Sequence, residues 1–337
     1  MGEMRRASRA GAAAAAAAWI VCAAELAIYA ALRLADWYVL PTLVSYGPRW
    51  VWLVPPALLL PAALLLSARF RTPRVLVPLA AALLIVAGPI MQFEIGVRAA
   101  SAPPAGLTVV SFNVQGEPLL GGRVLELIAS EGADIVALQE CPQDDARRLA
   151  EALGEPWRVS GRGGLCVASR YPLRETGLMD RRLFGGWGAI GTSYAIDAPG
   201  GPVSFFNVHL ETVREGLEPV VTAGVAGFDA LRRNLAFRDR ESRLAAEWVA
   251  TAPAPAIVAG DFNMASDSAI YRTHWRQWQN AFERAGFGYG YTKYTRWSGI
   301  RIDHVLYGDA FEAGAAAVGP DLGSDHRPVI ATLRRTD

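Results

Sequence analysis

In the last two thirds of the chain, six short polar clusters border apolar runs: Asn113, Glu140, Asn207-Val-His209, Asp261-Phe-Asn263, Asp303-His304 and Ser324-Asp325-His326. Carboxylates, carboxamides and imidazoles are the groups that hydrolysis of an anionic ester requires. Such an ester resists attack because its oxygens already carry charge, so a divalent cation must neutralise what builds in the transition state. Hard cations of this kind take carboxylate oxygens and keep several waters. Imidazoles titrate near neutrality and move protons at physiological pH. Each cluster alone is weak, since an Asn or Glu after a strand is an ordinary turn residue and Asp-Phe-Asn alone makes an Asx turn. The combination carries the inference. His304 points to the strand face opposite Asp303 and reads as structural, and His274, in a helical Tyr-Arg-Thr-His-Trp run, reads as non-catalytic.

These groups act together only if a rigid frame gathers them, which the strand ends of a packed sheet do. Leu107–Phe112 is a β-branched run ending at Asn113, and Asp134–Leu138 is a second buried strand ending at Gln139-Glu140. Further strands are predicted at 164–169, 187–196, 203–210, 256–259, 300–307, 311–318 and 327–333. Helices are predicted at 124–130, 144–153, 228–250 and 268–285. Apolar strands interleaved with helices predict an α/β sandwich.

Asp261-Phe-Asn263 after an apolar strand, Arg301-Ile-Asp303, and Ser324-Asp-His326-Arg-Pro-Val329 occur in an order that strongly resembles the endonuclease/exonuclease/phosphatase superfamily. That superfamily also includes the DNase I-like nucleases and neutral sphingomyelinases. The resemblance covers residues 107–335 and implies a four-layer α/β sandwich of two facing β-sheets flanked by helices. It also implies one or two Mg²⁺ or Mn²⁺ ions in the cleft above the sheets. Glu140 is the first expected metal ligand, with Asn113 and Asp325 completing or orienting the site. His326 is the expected general base, held and polarised by Asp303. His209 is expected across the phosphate, stabilising the pentacovalent state or protonating the leaving oxygen. Asn113, Asn207 and Asn263 are expected to bind phosphate, and Asp261 to fix phosphate and water together with Asn263. An alternative within the family makes Asp261 the base and leaves His326 on the phosphate.

Residues 1–100 lie outside that resemblance and read as a membrane anchor. Apolar stretches at about Ala10–Leu34, Trp50–Ala68 and Val75–Phe93 each approach the roughly 20 residues that a helix needs to span a bilayer core. Five prolines fall in or beside the last two stretches, which membrane helices tolerate better than soluble ones. Contact with the lipid bilayer is expected through residues 10–95. Arg5, Arg6 and Arg9, and then Arg69, Arg71 and Arg74, put the N-terminus and the second connection in the cytoplasm. Three transmembrane crossings then leave the catalytic domain, residues 107–337, outside the cytoplasmic membrane, behind a linker at 101–106. The arrangement looks like the membrane-anchored branch found in bacterial envelopes, which includes proteins linked to teicoplanin resistance.

Charge bears on the substrate. Residues 1–104 hold nine Arg against four acids, so 24 of the 33 basic and 28 of the 32 acidic residues follow, a net of −4. A duplex-binding domain carries a basic excess instead. The favoured substrate is therefore a lipid-linked or head-group phosphate, the alternatives being a nuclease on DNA or RNA and a catalytically silent binding module. Arg214, Arg232 and Arg233, in a long excursion after His209, are available for anions. Tyr289, Tyr291, Tyr294 and Trp297 read either as a packed hairpin or as an aromatic wall for a chain, sugar or base. Three cysteines make no disulfide framework. Cys141 and Cys166 are expected to stay thiols unless the fold brings them close in an oxidising compartment.

Overall fold

Side chains that are apolar all round make helices that cannot bury every face against one another, and the N-terminal residues fold in that way. The structure, a computed structural model, describes residues 2–66, 72–96, 106–116, 122–253, 255–295 and 297–336. The chain divides into two compact units, Met1–Phe93 and Glu94–Asp337.

The first unit holds α1 (Gly2–Leu32), α2 (Val39–Tyr46), α3 (Val54–Leu66) and α4 (Pro73–Ile85). Ile20, Leu58, Leu65 and Leu84 are among the large apolar side chains it leaves exposed. Among the described residues, two segments, Arg9–Leu32 and Pro73–Ile90, are long and apolar enough to cross a membrane, and α2 with Arg49–Leu65, bent by 87°, makes a third if the pair is counted as one span. The stretch expected as a span at Trp50–Ala68 holds a 3-10 turn at Arg49–Leu53 and α3, its last two residues lying outside the described ones. Gly47-Pro48 ends α2, and Pro55 and Pro56 fit the first turn of α3, where missing N–H donors do no harm. Arg49 is no free loop charge: its guanidinium is buried, donating to the Ser45 carbonyl (3.1 Å), the Ser45 hydroxyl (2.9 Å) and the Ile90 carbonyl (3.0 Å). Arg69, Arg71 and linker residues 101–105 lie outside the described residues, as do the side chains of Arg5 and Arg6.

The second unit runs, in strands, β1 (Glu94–Ile95), β2 (Leu107–Asn113), β3 (Ile135–Gln139), β4 (Arg158–Arg162), β5 (Leu165–Ser169), β6 (Leu173–Asp180), β7 (Ala189–Ala198), β8 (Gly201–His209) and β9 (Ala256–Asp261). It continues with β10 (Gln279–Asn280), β11 (Phe287–Gly288), β12 (Lys293–Tyr294), β13 (Gly299–Ile300), β14 (Asp303–Tyr307), β15 (Phe311–Val318) and β16 (Val329–Arg335). Its helices are α5 (Arg123–Ser130), α6 (Gln143–Leu153), α7 (Arg214–Ala223), α8 (Phe228–Ala250), α9 (Ala269–His274) and α10 (Ala281–Ala285). Two six-stranded mixed sheets result, ordered β15-β16-β2-β3-β5-β4 and β10-β14-β9-β8-β7-β6. Alternate side chains decide the layers. Val109, Ile135, Val167, Phe205, Ile257 and Val305 fill the space between the sheets. The other face of the first sheet packs Val110, Val136 and Leu138 against Val124, Leu127 and Leu149 of α5 and α6. The second sheet packs Phe206 and Val258 against Ala245, Val249 and Trp275. This is the sandwich that the sequence predicts.

The edge strands β4 and β6, with polar residues on alternate positions, were not anticipated. The helix expected at 268–285 is broken, because Asn280 caps α10 by accepting from the Phe282 and Glu283 N–H groups. The two cysteines meet the condition of closeness. Antiparallel pairing sets Cys166 opposite Leu138, and the turn at Glu140 folds Cys141 back, so a disulfide joins them with Cα atoms 5.8 Å apart.

Candidate active site

Parallel pairing sets Asn113 level with Gln139 in the first sheet and His209 level with Asp261 in the second, while Asp261 faces Asp303 across an antiparallel pair. Each of these residues ends or begins its strand, so register alone gathers them at one end of the sandwich. Backbone shape finishes the work. Glu140 (φ 51°) and Asn263 (φ 53°) adopt the left-handed conformation, uncommon for residues other than glycine and frequent at functional sites. Gly260 precedes Asp261 because a Cβ there would lie 1.9 Å from the Val208 carbonyl oxygen.

Asp261 sits at the centre. Its Oδ2 accepts from Asn113 Nδ2 at 3.0 Å and lies 3.8 Å from His209 Nε2 and 3.7 Å from His326 Nε2. Its Oδ1 accepts from the Asn263 N–H at 2.8 Å. Asn113 Nδ2 also donates to Glu140 Oε1 at 3.0 Å, and His209 Nε2 is 3.8 Å from that same oxygen. His326 turns Nδ1 onto the Asp303 carboxylate, 2.9 and 3.1 Å from its two oxygens, so Nε2 faces the cleft. The loop carrying His326 is anchored by Ser324, whose hydroxyl donates to the Asn113 carbonyl (2.8 Å) and accepts from the His326 N–H (3.1 Å).

Burial and the neighbouring carboxylate of Asp303 push the Asp261 carboxyl up. Burial pulls the His209 imidazole down, and Arg181 adds to this against the attraction of Asp261. Burial alone would lower His326, but Asp303 and Asp261 overcome it and push it up to about 9.

The donor set suits a hard divalent cation. One ligand atom each of Asp261, Asp303 and His326 fall within 4.8 Å of one another, and Glu140 and Asp325 add carboxylates nearby. Asp325 Oδ1 is buried without a hydrogen-bond partner, and its other oxygen pairs with Lys293 and lies 3.8 Å from Arg214.

Of the residues expected at the site, Asn113, Glu140, His209, Asp261, Asp303, Asp325 and His326 come together. Asn263 stands beside them, with Nδ2 donating to the Leu210 carbonyl at 2.8 Å. Asn207 does not join them. It is fully buried one layer below His209, donating to the carbonyls of Leu138 and Cys166 (3.0 Å each) and accepting from Gln139 Nε2 (2.7 Å). These bonds pin one sheet to the other, so the expected phosphate contact from Asn207 is corrected. His304 is buried between the Met264 carbonyl and Asn280, and burial holds it down at about 3. His274 pairs with Asp239.

Several supporting residues escaped the sequence reading. Arg181 donates from Nε and Nη2 to both oxygens of buried Glu241 (2.9 and 3.0 Å) and from Nη2 to the His209 carbonyl. Glu241 also accepts from the Glu211 N–H at 2.7 Å. Arg238 donates to the carbonyls of Glu211 (3.1 Å) and Asn263 (2.6 Å). Charged residues three apart on the buried face of α8 were the available signal. Lys293 lies opposite His326 in an isolated bridge. The aromatic segment is partly strand, with Tyr289 stacked on Tyr291 (5.5 Å) and Tyr291 edge-on to Tyr294 (6.4 Å).

No curated protein matches the chain in sequence. Among solved structures, the endonuclease/exonuclease/phosphatase from Beutenbergia cavernae DSM 12333 is 18% identical, covers 68% of this chain and 71% of its own, and has a TM-score of 0.50. Humanized D. rerio TDP2 carrying 14 mutations is 17% identical over 68% of this chain and 100% of that one, with a TM-score of 0.52. The 3' phosphatase NExo from Neisseria, bound to a product DNA hairpin, is 19% identical over 68% and 99%, with a TM-score of 0.50. At these identities the likeness is one of fold. The family model for the Endonuclease/Exonuclease/phosphatase family matches residues 110–326, well over half of the chain. The chain therefore belongs to that family, whose members are metal-dependent hydrolases of phosphoester bonds.

Proposed function

We propose that the chain is a membrane-anchored phosphoesterase that hydrolyses lipid-linked or head-group phosphates on the outer side of the cytoplasmic membrane. The observation that carries the proposal is the convergence on Asp261 of Asn113, His209 and His326, with Glu140 and Asp303 one contact further out. Glu140, Asn113 and Asp325 would hold the divalent cation, Mg²⁺ or Mn²⁺, which supplies charge neutralisation on the phosphoryl oxygens. Asp261, held by two hydrogen bonds within reach of both imidazoles, takes the proton of the attacking water. Three carboxylates, Asp303, Asp261 and Asp325, face His326, so it acts as an imidazolium donor to a non-bridging oxygen. His209 lies on the other side of Asp261, 3.8 Å away, and passes to the leaving oxygen the proton that Asp261 takes from the water. Lys293 and Arg214, beside Asp325, receive the remaining charge of the substrate.

The bilayer location rests on the apolar helices of the first unit and on the positive charge of the N-terminus and the second connection. The Cys141–Cys166 disulfide supports an oxidising compartment for the catalytic unit. A nuclease activity is the second reading. It is favoured by fold neighbours such as the DNA-bound Neisseria 3' phosphatase and D. rerio TDP2 bound to a single-strand DNA product, and opposed by the net −4 of residues 105–337. Incubating the full chain and Mg²⁺ with phospholipids, a prenyl pyrophosphate and plasmid DNA separates the two. Phosphate released from lipid alone supports the first reading, and DNA nicking alone overturns it.

A further inference from the structure

Among the described residues, every large apolar side chain that the second unit exposes lies in one of four segments. Ile95 (79% exposed) and Phe287 (69%) lie in the β1–β11 ribbon, Leu183 and Trp187 (85%) in the β6–β7 turn, Val221 and Val225 in and just after α7, and Tyr294 and Trp297 (67%) in and just after β12. All four segments border the cleft. The β6–β7 turn lies beside His209, whose carbonyl Arg181 holds, and α7 begins at Arg214, 3.8 Å from Asp325. Lys293 bridges to His326. Arg301, two residues before Asp303, donates to Glu94 of β1 (2.9 Å) and to the Tyr289 carbonyl (2.9 Å). Turns at the opposite ends of the strands, at 131–134, 198–201 and 308–310, expose no large apolar side chain.

Exposed apolar groups confined to one end of a folded unit mark an interaction surface, and the chain indicates its partner. Ile95 is registered directly opposite Phe287, one strand residue after Glu94, where the second unit begins immediately behind the apolar helices. Cations stand over rings at the same rim, Arg327 4.4 Å from the Tyr294 centroid and Arg240 5.6 Å from that of Phe184. Apolar tips with aromatic rings and arginine heads beside them fit the head-group boundary of a bilayer. We propose that this rim docks on the lipid surface, with Ile95 and Phe287 entering it, so that the cleft opens onto the membrane and takes amphiphilic phosphoesters from it. The inference rests on the membrane-anchored reading and deepens it.

The test uses the full chain in phospholipid nanodiscs, with Cys22→Ala removing the free thiol. The fluorophore NBD is attached at Phe287→Cys, and separately at Ile95→Cys as a second reporter should the first variant fold poorly. Asp309→Cys, exposed at the opposite end, is the control. Brominated acyl chains are expected to quench the probe at 287 or 95 about two-fold and to leave the probe at 309 unchanged. Equal, unquenched emission at all three positions overturns the docking surface alone, since no substrate takes part. Failure of the chain to stay in the discs overturns the anchor and this inference with it, and lipid hydrolysis in the same discs reads the substrate separately.

Discussion

Replacing Glu241 by Ala probes how the site is held. Its carboxylate, 1% exposed, takes two hydrogen bonds from Arg181, itself 11% exposed, and one from the Glu211 N–H. Removing one partner of a buried ion pair costs about 3–5 kcal/mol, because the other charge is left uncompensated. Glu211, 3.6 Å from Arg181, offers partial relief, which places the loss at the lower end, about 3 kcal/mol. For a unit of this size each kcal/mol moves the midpoint by about 2–4 °C, so Glu241→Ala should melt about 6–12 °C below the parent. Thermal unfolding followed by near-ultraviolet circular dichroism reads the shift. Pairing Arg181→Met with Glu241→Leu removes both charges and should recover most of it. Activity should stay low in the pair, because the His209 carbonyl has still lost its donor. A single variant melting within about 1 °C of the parent would refute the claim that this ion pair fixes the His209 strand end.

Four other perturbations have expected outcomes. Asp303→Asn should lower kcat by about 10²–10⁴, as loss of an orienting carboxylate does. The same variant should lose a pH dependence of stability. His326, raised to about 9, holds in the folded metal-free state a proton that the unfolded chain gives up near 6.5, so its stabilisation is complete below 6.5 and lost as pH rises through about 9; melting scans across that window check this. A chelator should abolish hydrolysis, with Mg²⁺ or Mn²⁺ restoring it in the parent but not in Glu140→Ala, as a phosphate-release assay would show. Cys141→Ser with Cys166→Ser opens a link across 25 residues and should cost about 3–4 kcal/mol by loop entropy, measured as a fall in melting temperature that reducing agent reproduces in the parent. Asn207→Ala takes the side-chain donor from the Leu138 and Cys166 carbonyls and the shortest acceptor from the Gln139 amide, and should cost about 1–3 kcal/mol for each group stranded. Its KM should stay near the parent value, whereas a tenfold rise would return Asn207 to the substrate.

Strand-end chemistry was legible because the period of a strand and the end of an apolar run are both written locally. Asn113, Glu140, His209, Asp261, Asp303 and His326 each close or open such a run, and register assembles them. Asn207 misled for the same reason. Two residues before His209 it shares a strand face with it, and sequence gives no measure of depth below the rim. Arg181, Arg238 and Glu241 were missed because their partners, each other's side chains and main-chain groups, lie far along the chain, and helical charge usually faces solvent. The disulfide hinged on the left-handed turn at Glu140, which no pattern announces in a residue other than glycine. In the first unit, hydropathy located apolar residues but not the bend after Tyr46, which depends on where Gly47-Pro48 falls relative to packing.

The two sheets contribute unequal halves of one centre. Asn113 and Glu140 come from one, His209, Asp261 and Asp303 from the other, and Asn207 rivets the seam between them. Neither half can keep a remnant of the chemistry by itself. A slip of about 1 Å along the seam is enough to cost some hundredfold in rate. Mild heat or denaturant should therefore silence the molecule while its strands, helices and compactness still look native, and turnover becomes the most sensitive gauge of whether the halves remain aligned.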